Sequence, residues 1–109
     1  MNAVSEDVKL LVGKELESAN ERFPQFHSPH EGWAVIREEV EELLQETDDV
    51  EEALNTLWVR VRYNMRANPC FATKIKERAV AAACEAVQVA AMAQKYLDML
   101  ERMEKEESE

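Results

Sequence analysis

Apolar residues recur every three or four positions along most of the chain, and this spacing predicts four amphipathic α-helices. The second helix has the clearest start, because Ser28 and Glu31 form a capping box around Pro29. Pro24 and the pair Asn68-Pro69 predict breaks, since proline disfavours helical backbone at the residue before it. The predicted helices cover residues 5–22, with Ser5 as the cap, and residues 28–46, 48–67 and 73–103.

The apolar positions of these helices define the faces that we expect to be buried. On the first three helices they are Val4, Val8, Leu11, Val12, Leu16 and Ala19; Ile36, Val40, Leu43 and Leu44; and Val50, Leu54, Leu57, Trp58, Val61 and Met65. The fourth helix is apolar on two sides, with one stripe within residues 75–100 and another within residues 80–91. A helix that is apolar on two sides is covered on two sides, so we expect a second subunit and a homo-oligomer.

The composition is typical of one small helical domain with an acidic surface. The 109 residues include only two glycines and three prolines, and 23 acidic against 13 basic residues give a net charge of −10. This charge argues against binding to duplex nucleic acid or to an anionic membrane. We expect residues 1–103 to form the domain and the acidic tail, residues 104–109, to fray.

The sequence shows no sign of a membrane span or of export. There is no apolar run of roughly 18 residues, and the start MNAVSEDVKL lacks the basic and apolar segments of a signal peptide. Cys70 and Cys84 lack the spacing of a metal site, which predicts two buried, reduced thiols. Such thiols are typical of a cytoplasmic protein.

A line of carboxylates follows the second predicted helix. Glu39, Glu42 and Glu46 are spaced i, i+3 and i+7 along the border of its apolar stripe. Like charges at this spacing destabilise an isolated helix by about 0.2–0.5 kcal/mol per pair. Spacing alone leaves two interpretations open, a solvated acidic face and a set of ligands for a cation.

Glu85 is the carboxylate that shifts this balance, because it falls within an apolar face of the fourth helix. An unpaired ionised carboxylate in such a place costs several kcal/mol. Arg78, seven residues earlier on the same face, is one candidate partner, and a divalent cation shared with Glu39 and Glu42 is the other. Oxygen ligands on facing helices favour a hard ion, Mg²⁺ or Mn²⁺.

The stretches HSPHEGWAVIREEVEELLQE and EAVQVAAMAQKYLDML resemble the MazG-like all-α nucleoside triphosphate pyrophosphohydrolases, which are related to the dimeric all-α dUTPases. The resemblance covers roughly residues 26–100. It implies a four-helix bundle that is completed by oligomerisation, as a homodimer or a homotetramer. It also implies Mg²⁺-dependent (or Mn²⁺-dependent) cleavage of an NTP or dNTP into the monophosphate and pyrophosphate.

The resemblance assigns roles to five residues. Glu39 and Glu42 match the ExxE motif of the family, and Glu85 stands where its ExxD motif begins, so these three are the expected catalytic metal ligands. Glu46 and Gln88 are expected as outer ligands or as residues that position water. Gln88 occupies the place of the family's Asp. The segment between Glu42 and Glu85 is also longer than the corresponding segment in the family's motif. The alternative is therefore a catalytically weak or inactive helical oligomer of the same fold that binds nucleotide or a protein partner. A third hypothesis is a purely structural helical module.

Basic residues cluster between the two acidic segments. Six fall within nineteen positions: Arg60, Arg62, Arg66, Lys74, Lys76 and Arg78. Guanidinium groups suit phosphate oxygens, so Arg78, Lys74 and Arg66 are candidates for contact with the triphosphate. The alternative is that these side chains pair with the acids of the neighbouring helices.

Trp33, in the first turn of the second helix, is a candidate for stacking on the base. The other reading of this tryptophan is a core or interface residue. His27 and His30 flank the capping box, but their spacing is not the i, i+4 pair of a zinc helix.

Overall fold

The computed structural model describes residues 3–66 and 69–108, which form three α-helices and no strand. They are α1 (Ser5–Arg22), α2 (Pro29–Arg62) and α3 (Cys70–Ser108). The all-α prediction is confirmed. The first two residues of the chain, the predicted break at Asn68 and the last residue of the tail lie outside the described residues.

The prediction of four helices is wrong in the described residues, because the expected second and third helices are one continuous helix, α2. No glycine or proline interrupts the junction. The Thr47 hydroxyl donates to the Leu44 carbonyl at 2.9 Å, and the Gln45 amide donates to the Asp49 carboxylate at 3.2 Å, both within helical spacing. Weak helix formers such as Thr and Asp cost only about 0.7 kcal/mol each, which packing along a neighbouring helix offsets.

The two ends of α2 are set by local chemistry. At its start the Ser28 hydroxyl accepts a hydrogen bond from the Glu31 amide at 3.1 Å, as the capping box predicts. At its end Asn64 adopts a left-handed conformation with φ of 51°. The Met65 amide then donates to the Arg60 carbonyl at 2.9 Å, which is the Schellman arrangement. This motif ends α2 at Arg62, earlier than the predicted end near residue 67.

The bounds of α1 agree with the prediction, although its cap does not. Val4 is the N-cap residue and no side chain caps the helix, so Ser5 is its first residue instead of its cap. Phe23, which precedes Pro24, is extended, as expected before proline. At the other end of the chain, α3 begins three residues before the predicted position and continues through Ser108. The part of the acidic tail that the structure describes is therefore helical.

The helix α3 is the centre of the fold, because α1 and α2 both pack against it. The buried core consists of Phe26, from the loop between α1 and α2, and of Ala91, Met92 and Met99 from α3. Side chains from all three helices pack around it: Val12, Leu16, Ala19, Val35, Ile36, Tyr96 and Met103. No helix in the described part of the chain is both long enough and apolar enough to cross a membrane.

Much of the apolar surface that was predicted to be buried is exposed in the single chain. On α2, only Ala53 of the segment after residue 48 is buried. It lines a cavity together with residues of α3. Leu54, Trp58 and Val61 of this segment are exposed, and we call them the distal face of α2. Met65, just beyond the end of the helix, is exposed as well. On α1, Val4, Val8 and Leu11 are also exposed. Cys70 and Cys84 are exposed, so the prediction of buried thiols is wrong.

The dimensions of the chain show the same excess of surface. It measures 69 × 28 × 24 Å and has a radius of gyration of 18.8 Å. A compact chain of this length has a radius of gyration of about 13 Å. The accessible surface is 8465 Å², about 2,300 Å² more than a compact monomer of the same mass exposes. The single chain therefore leaves an unusually large area uncovered.

Candidate metal centre and adjoining cavity

Three carboxylates from two helices converge on one point. Glu39 and Glu42 lie one turn apart on α2, and Glu85 faces them from α3. One oxygen of each of the three carboxylates lies within 4.8 Å of the other two. The predicted catalytic and metal-ligand residues are thus brought together by the packing of α2 against α3, and we call them the acidic cluster.

The acidic cluster holds more negative charge than its protein neighbours compensate. The Oε2 atoms of Glu39 and Glu85 are buried and have no hydrogen-bond partner. Burial, followed by the charges of Glu42 and Glu85, raises the pKa of Glu39 from 4.5 to about 7. Burial, followed by the charge of Glu42, also raises the pKa of Glu85. Three converging carboxylates, two of which have a buried unpaired oxygen, are a donor set that fits a hard divalent cation.

Glu46 and Arg78 lie at the edge of the acidic cluster. The charge of Glu46 contributes to the raised pKa of Glu85, and its Oε2 atom is buried. Arg78 Nη1 lies 3.8 Å from that oxygen. The ion pair of Arg78 is therefore with Glu46, and the alternative pair between Arg78 and Glu85 is not found among the residues that the structure describes.

The other two candidate phosphate ligands are not brought to the acidic cluster. Lys74 lies 5.2 Å from the centre of the Phe71 ring. It lines a separate cavity of about 360 Å³, together with Arg78 and the acids Asp49, Glu52 and Glu77. Arg66 follows the end of α2 at Arg62, which is about 30 Å along that helix from Glu42. Within one chain, neither side chain reaches a phosphate at the cluster.

A cavity of about 430 Å³ adjoins the acidic cluster, between α1 and α2 and above α3. Glu39, which belongs to the acidic cluster, also lines the cavity, and so does Gln88. The volume is within the usual range of small-molecule sites, about 300–1,000 Å³. Its other walls are formed by Glu15, Ser18, Ala19, Arg22, Phe23, Pro24, Phe26, Glu31, Val35, Glu38, Met92 and Lys95.

Lys95 is a residue of this cavity that the sequence analysis missed. It is 2% exposed, and its Nζ atom lies 5.1 Å from the centre of the Phe26 ring. Burial lowers its pKa, and the nearby charge of Glu31 only partly opposes that effect. A signal was present in the sequence, because Lys95 stands between Met92 and Met99 at the spacing of a buried helical stripe.

Trp33, the predicted base-stacking residue, is not among the residues that line this cavity. It is 62% exposed and lies in a separate groove with Pro29, His30 and Tyr96. It is not a core residue either. His27 and His30 are exposed, and the His27 amide donates to the Glu31 carboxylate at 3.3 Å.

Comparisons of the chain with models of protein families, with curated proteins and with solved structures gave no match. What defines the site is therefore its own geometry. That geometry is an all-α scaffold in which an acidic cluster borders a cavity that contains a buried lysine.

Proposed function

We propose that this protein is a nucleotide pyrophosphohydrolase that depends on Mg²⁺ or Mn²⁺ and converts an NTP or dNTP into the monophosphate and pyrophosphate. One observation carries the proposal: the carboxylates of Glu39, Glu42 and Glu85 converge beside a cavity of suitable size, and Glu39 and Glu85 each have a buried oxygen without a hydrogen-bond partner. The resemblance to the MazG-like enzymes in the two acidic segments supports the same function.

Each residue of the site has a proposed part in this reaction. Glu39, Glu42 and Glu85 would hold the ion, which when bound neutralises the charge of the phosphate oxygens. Gln88 offers an amide group at the border of the cavity, and Arg78 offers guanidinium donors to the phosphates. The proton of the attacking water passes to a carboxylate of this group.

Pyrophosphate release from a panel of NTPs and dNTPs, with Mg²⁺ or Mn²⁺, tests the proposal. We expect one or more nucleotides to yield the monophosphate and pyrophosphate in equal amounts. Glu39→Gln should abolish this release, which excludes a contaminating hydrolase. Glu51→Gln, which removes one exposed charge from the same helix, should leave it unchanged. Absence of release from every nucleotide with both metals would refute the enzymatic function.

Gln88 favours a second candidate, a protein of the same fold that binds nucleotide without hydrolysing it. Glutamine offers a carbonyl oxygen without charge, so one fewer carboxylate is available to the ion. Mg²⁺-dependent binding of a nucleotide that remains intact would support this candidate over the enzyme.

We also propose that the protein is a homodimer or homotetramer in which a second copy covers the distal face of α2. Trp58 is 56% exposed and Leu54 is 53% exposed on that face. The excess surface of about 2,300 Å² is of the size that one subunit of an obligate oligomer buries. A tightly packed pair of hairpins formed by α2 and α3 would remove this area from water.

Sedimentation measures this association directly. We expect a mass of at least twice the 12.5 kDa of one chain. The double variant Leu54→Glu and Trp58→Glu should shift the protein to a monomer, because it buries two charges in the interface. Leu10→Glu changes an exposed leucine on α1 and serves as the control. A monomeric wild type, or a double variant that keeps the wild-type mass, would contradict the assignment.

A further inference from the structure

Lys95 is a buried residue without an ion-pair partner among the residues that the structure describes. The side chain is 2% exposed and lines the cavity. Across residues 3–66 and 69–108, no carboxylate oxygen lies within 4.0 Å of its Nζ atom. The face of the Phe26 ring, 5.1 Å away, attracts a cation but accepts no conventional hydrogen bond. The Nζ atom therefore opens onto the cavity, where a bound ligand can supply the acceptor that the protein does not.

The walls of the cavity indicate what kind of group that ligand places beside Lys95. Phe23, Val35 and Met92 give the cavity apolar walls, together with Phe26, whose ring lies beside the ammonium group. The lining has two cations, Arg22 and Lys95, and four carboxylates. The carboxylates are those of Glu15, Glu31, Glu38 and Glu39. An excess of negative charge disfavours a polyphosphate in the cavity, whereas apolar walls favour a flat, uncharged ring.

The position of Lys95 along α3 agrees with a base in the cavity and phosphates at the acidic cluster. Glu85, Gln88, Met92 and Lys95 follow one another at the spacing of a single helical face. Gln88 and Lys95 are two turns apart, or about 10 Å along the helix axis. This separation is comparable to the length of a nucleotide. Phosphates at the acidic cluster would therefore place the base near Lys95.

We propose that the cavity binds the base of the nucleotide and that Lys95 donates a hydrogen bond to a carbonyl oxygen on that base. The inference rests on the proposed function for the phosphate end of the ligand. It makes Lys95 a specificity residue: guanine, hypoxanthine, uracil, thymine and cytosine carry a ring carbonyl, whereas adenine carries none. The substrate is then an oxo-base nucleotide, and dATP is discriminated against.

Steady-state kinetics with matched nucleotides test this assignment. Deoxyinosine triphosphate and dATP differ chiefly in a carbonyl oxygen against an amino group at one ring position. Wild-type protein should show a higher kcat/KM for the carbonyl-bearing nucleotide. Lys95→Met should reduce that preference by about 10- to 100-fold, since a hydrogen bond from a charged donor contributes about 1.5–3 kcal/mol. The change should appear in KM more than in kcat.

A matched control and a binding measurement separate this role from a structural one. Lys105→Met makes the same substitution at an exposed lysine of α3 and should leave the preference unchanged. Titration calorimetry with deoxyinosine monophosphate and with dAMP, in EDTA, measures base binding without metal or turnover. We expect tighter binding of the first ligand to the wild type and equal binding of both to Lys95→Met.

The outcomes distinguish this inference from the proposed function. Hydrolysis by the wild type with the same base preference in Lys95→Met would overturn the role of Lys95 and leave the enzyme intact. Base-selective binding that Lys95→Met removes, without release of pyrophosphate, would support the base site and refute the enzyme. Equal binding of both monophosphates to the wild type, or no binding of either, would overturn the base site.

Discussion

Glu39→Gln is expected to stabilise the metal-free protein above pH 7 and to remove its response to Mg²⁺. In the folded state burial and two neighbouring carboxylates raise the pKa of Glu39 from 4.5 to about 7. Between these two values the folded protein binds more protons than the unfolded chain. The contribution of Glu39 to stability is therefore lost as the pH rises from about 4.5 to 7. Glutamine carries no charge, so the variant avoids this loss.

The size of the gain follows from the shift in pKa. Each pKa unit corresponds to about 1.4 kcal/mol, and the coupling among the carboxylates spreads part of the effect over the cluster. We expect Glu39→Gln to raise the free energy of unfolding of the metal-free protein by about 2 kcal/mol at pH 8. The same substitution should leave the stability at pH 4 nearly unchanged, because Glu39 is then protonated in the wild type.

Mg²⁺ should stabilise the wild type and leave the stability of Glu39→Gln unchanged. An ion that binds only the folded wild type raises its stability by about 2.7 kcal/mol at a concentration of 100 Kd. Glu39→Gln removes one of three carboxylate ligands, so this gain should disappear. Turnover should fall at least a hundredfold, on the order of the loss caused by mutating even residues that only support metal ligands.

Chemical denaturation at pH 4 and pH 8, with Mg²⁺ and with EDTA, measures all of these differences. Glu51→Gln removes an equal charge from an exposed position of α2 and should change the unfolding free energy little under every condition. A metal-free Glu39→Gln protein less stable than the wild type at pH 8, or one that Mg²⁺ still stabilises, would contradict the metal site.

Gly32→Ala is expected to destabilise the protein, although alanine is the better helix former. Gly32 is buried in the first turns of α2. A Cβ atom at this position would lie 2.6 Å from Cδ2 of Tyr96 and 3.0 Å from Cδ2 of Phe26. Both are ring atoms of packed side chains, so the rings or the helices must move. Overpacking of this kind costs about 1–3 kcal/mol, which exceeds the gain in helix propensity of about 1 kcal/mol.

Gly13→Ala provides a control with the opposite sign. Gly13 lies in the middle of α1, and a Cβ atom there would meet nothing within 4 Å. Alanine should therefore stabilise the protein by about 0.5–1 kcal/mol. Chemical denaturation of both variants measures the contrast.

A double-mutant cycle tests the cause of the Gly32 effect. If the contact with Tyr96 is responsible, Gly32→Ala should cost less in a Tyr96→Leu background than in the wild type. If Gly32→Ala stabilised the protein as much as Gly13→Ala, the close approach of α2 and α3 at Gly32 would be contradicted.

The parts of the fold that depend on neighbouring residues could be predicted from the sequence. The capping box around Ser28 starts α2, and the extended residue before Pro24 follows the end of α1. The continuity of α2 past Glu46 could not be predicted in this way. Asp48 and Asp49 are good caps and weak helix formers, but each costs a helix only about 0.7 kcal/mol relative to alanine, and packing overrides this cost.

The candidate site was predicted in part for a similar reason. The i, i+3 spacing of Glu39 and Glu42 places them on one face of any helix, and Glu85 is an acid within an apolar stripe. Whether the two helices meet at those positions depends on their register, which spacing alone does not give. Arg78 illustrates the limit: it shares a face with Glu85, yet the register of α3 on α2 brings it to Glu46.

The sequence by itself determined that the chain is helical, where α1 begins and ends, where α2 starts, and which carboxylates can share a helix face. Each of these follows from interactions within a few residues. Only the tertiary structure decided that α2 is continuous, that the acidic cluster borders a cavity, and that Lys95 is buried in it. These features depend on how distant segments pack, and packing is decided by the total area and charge that the helices bury together.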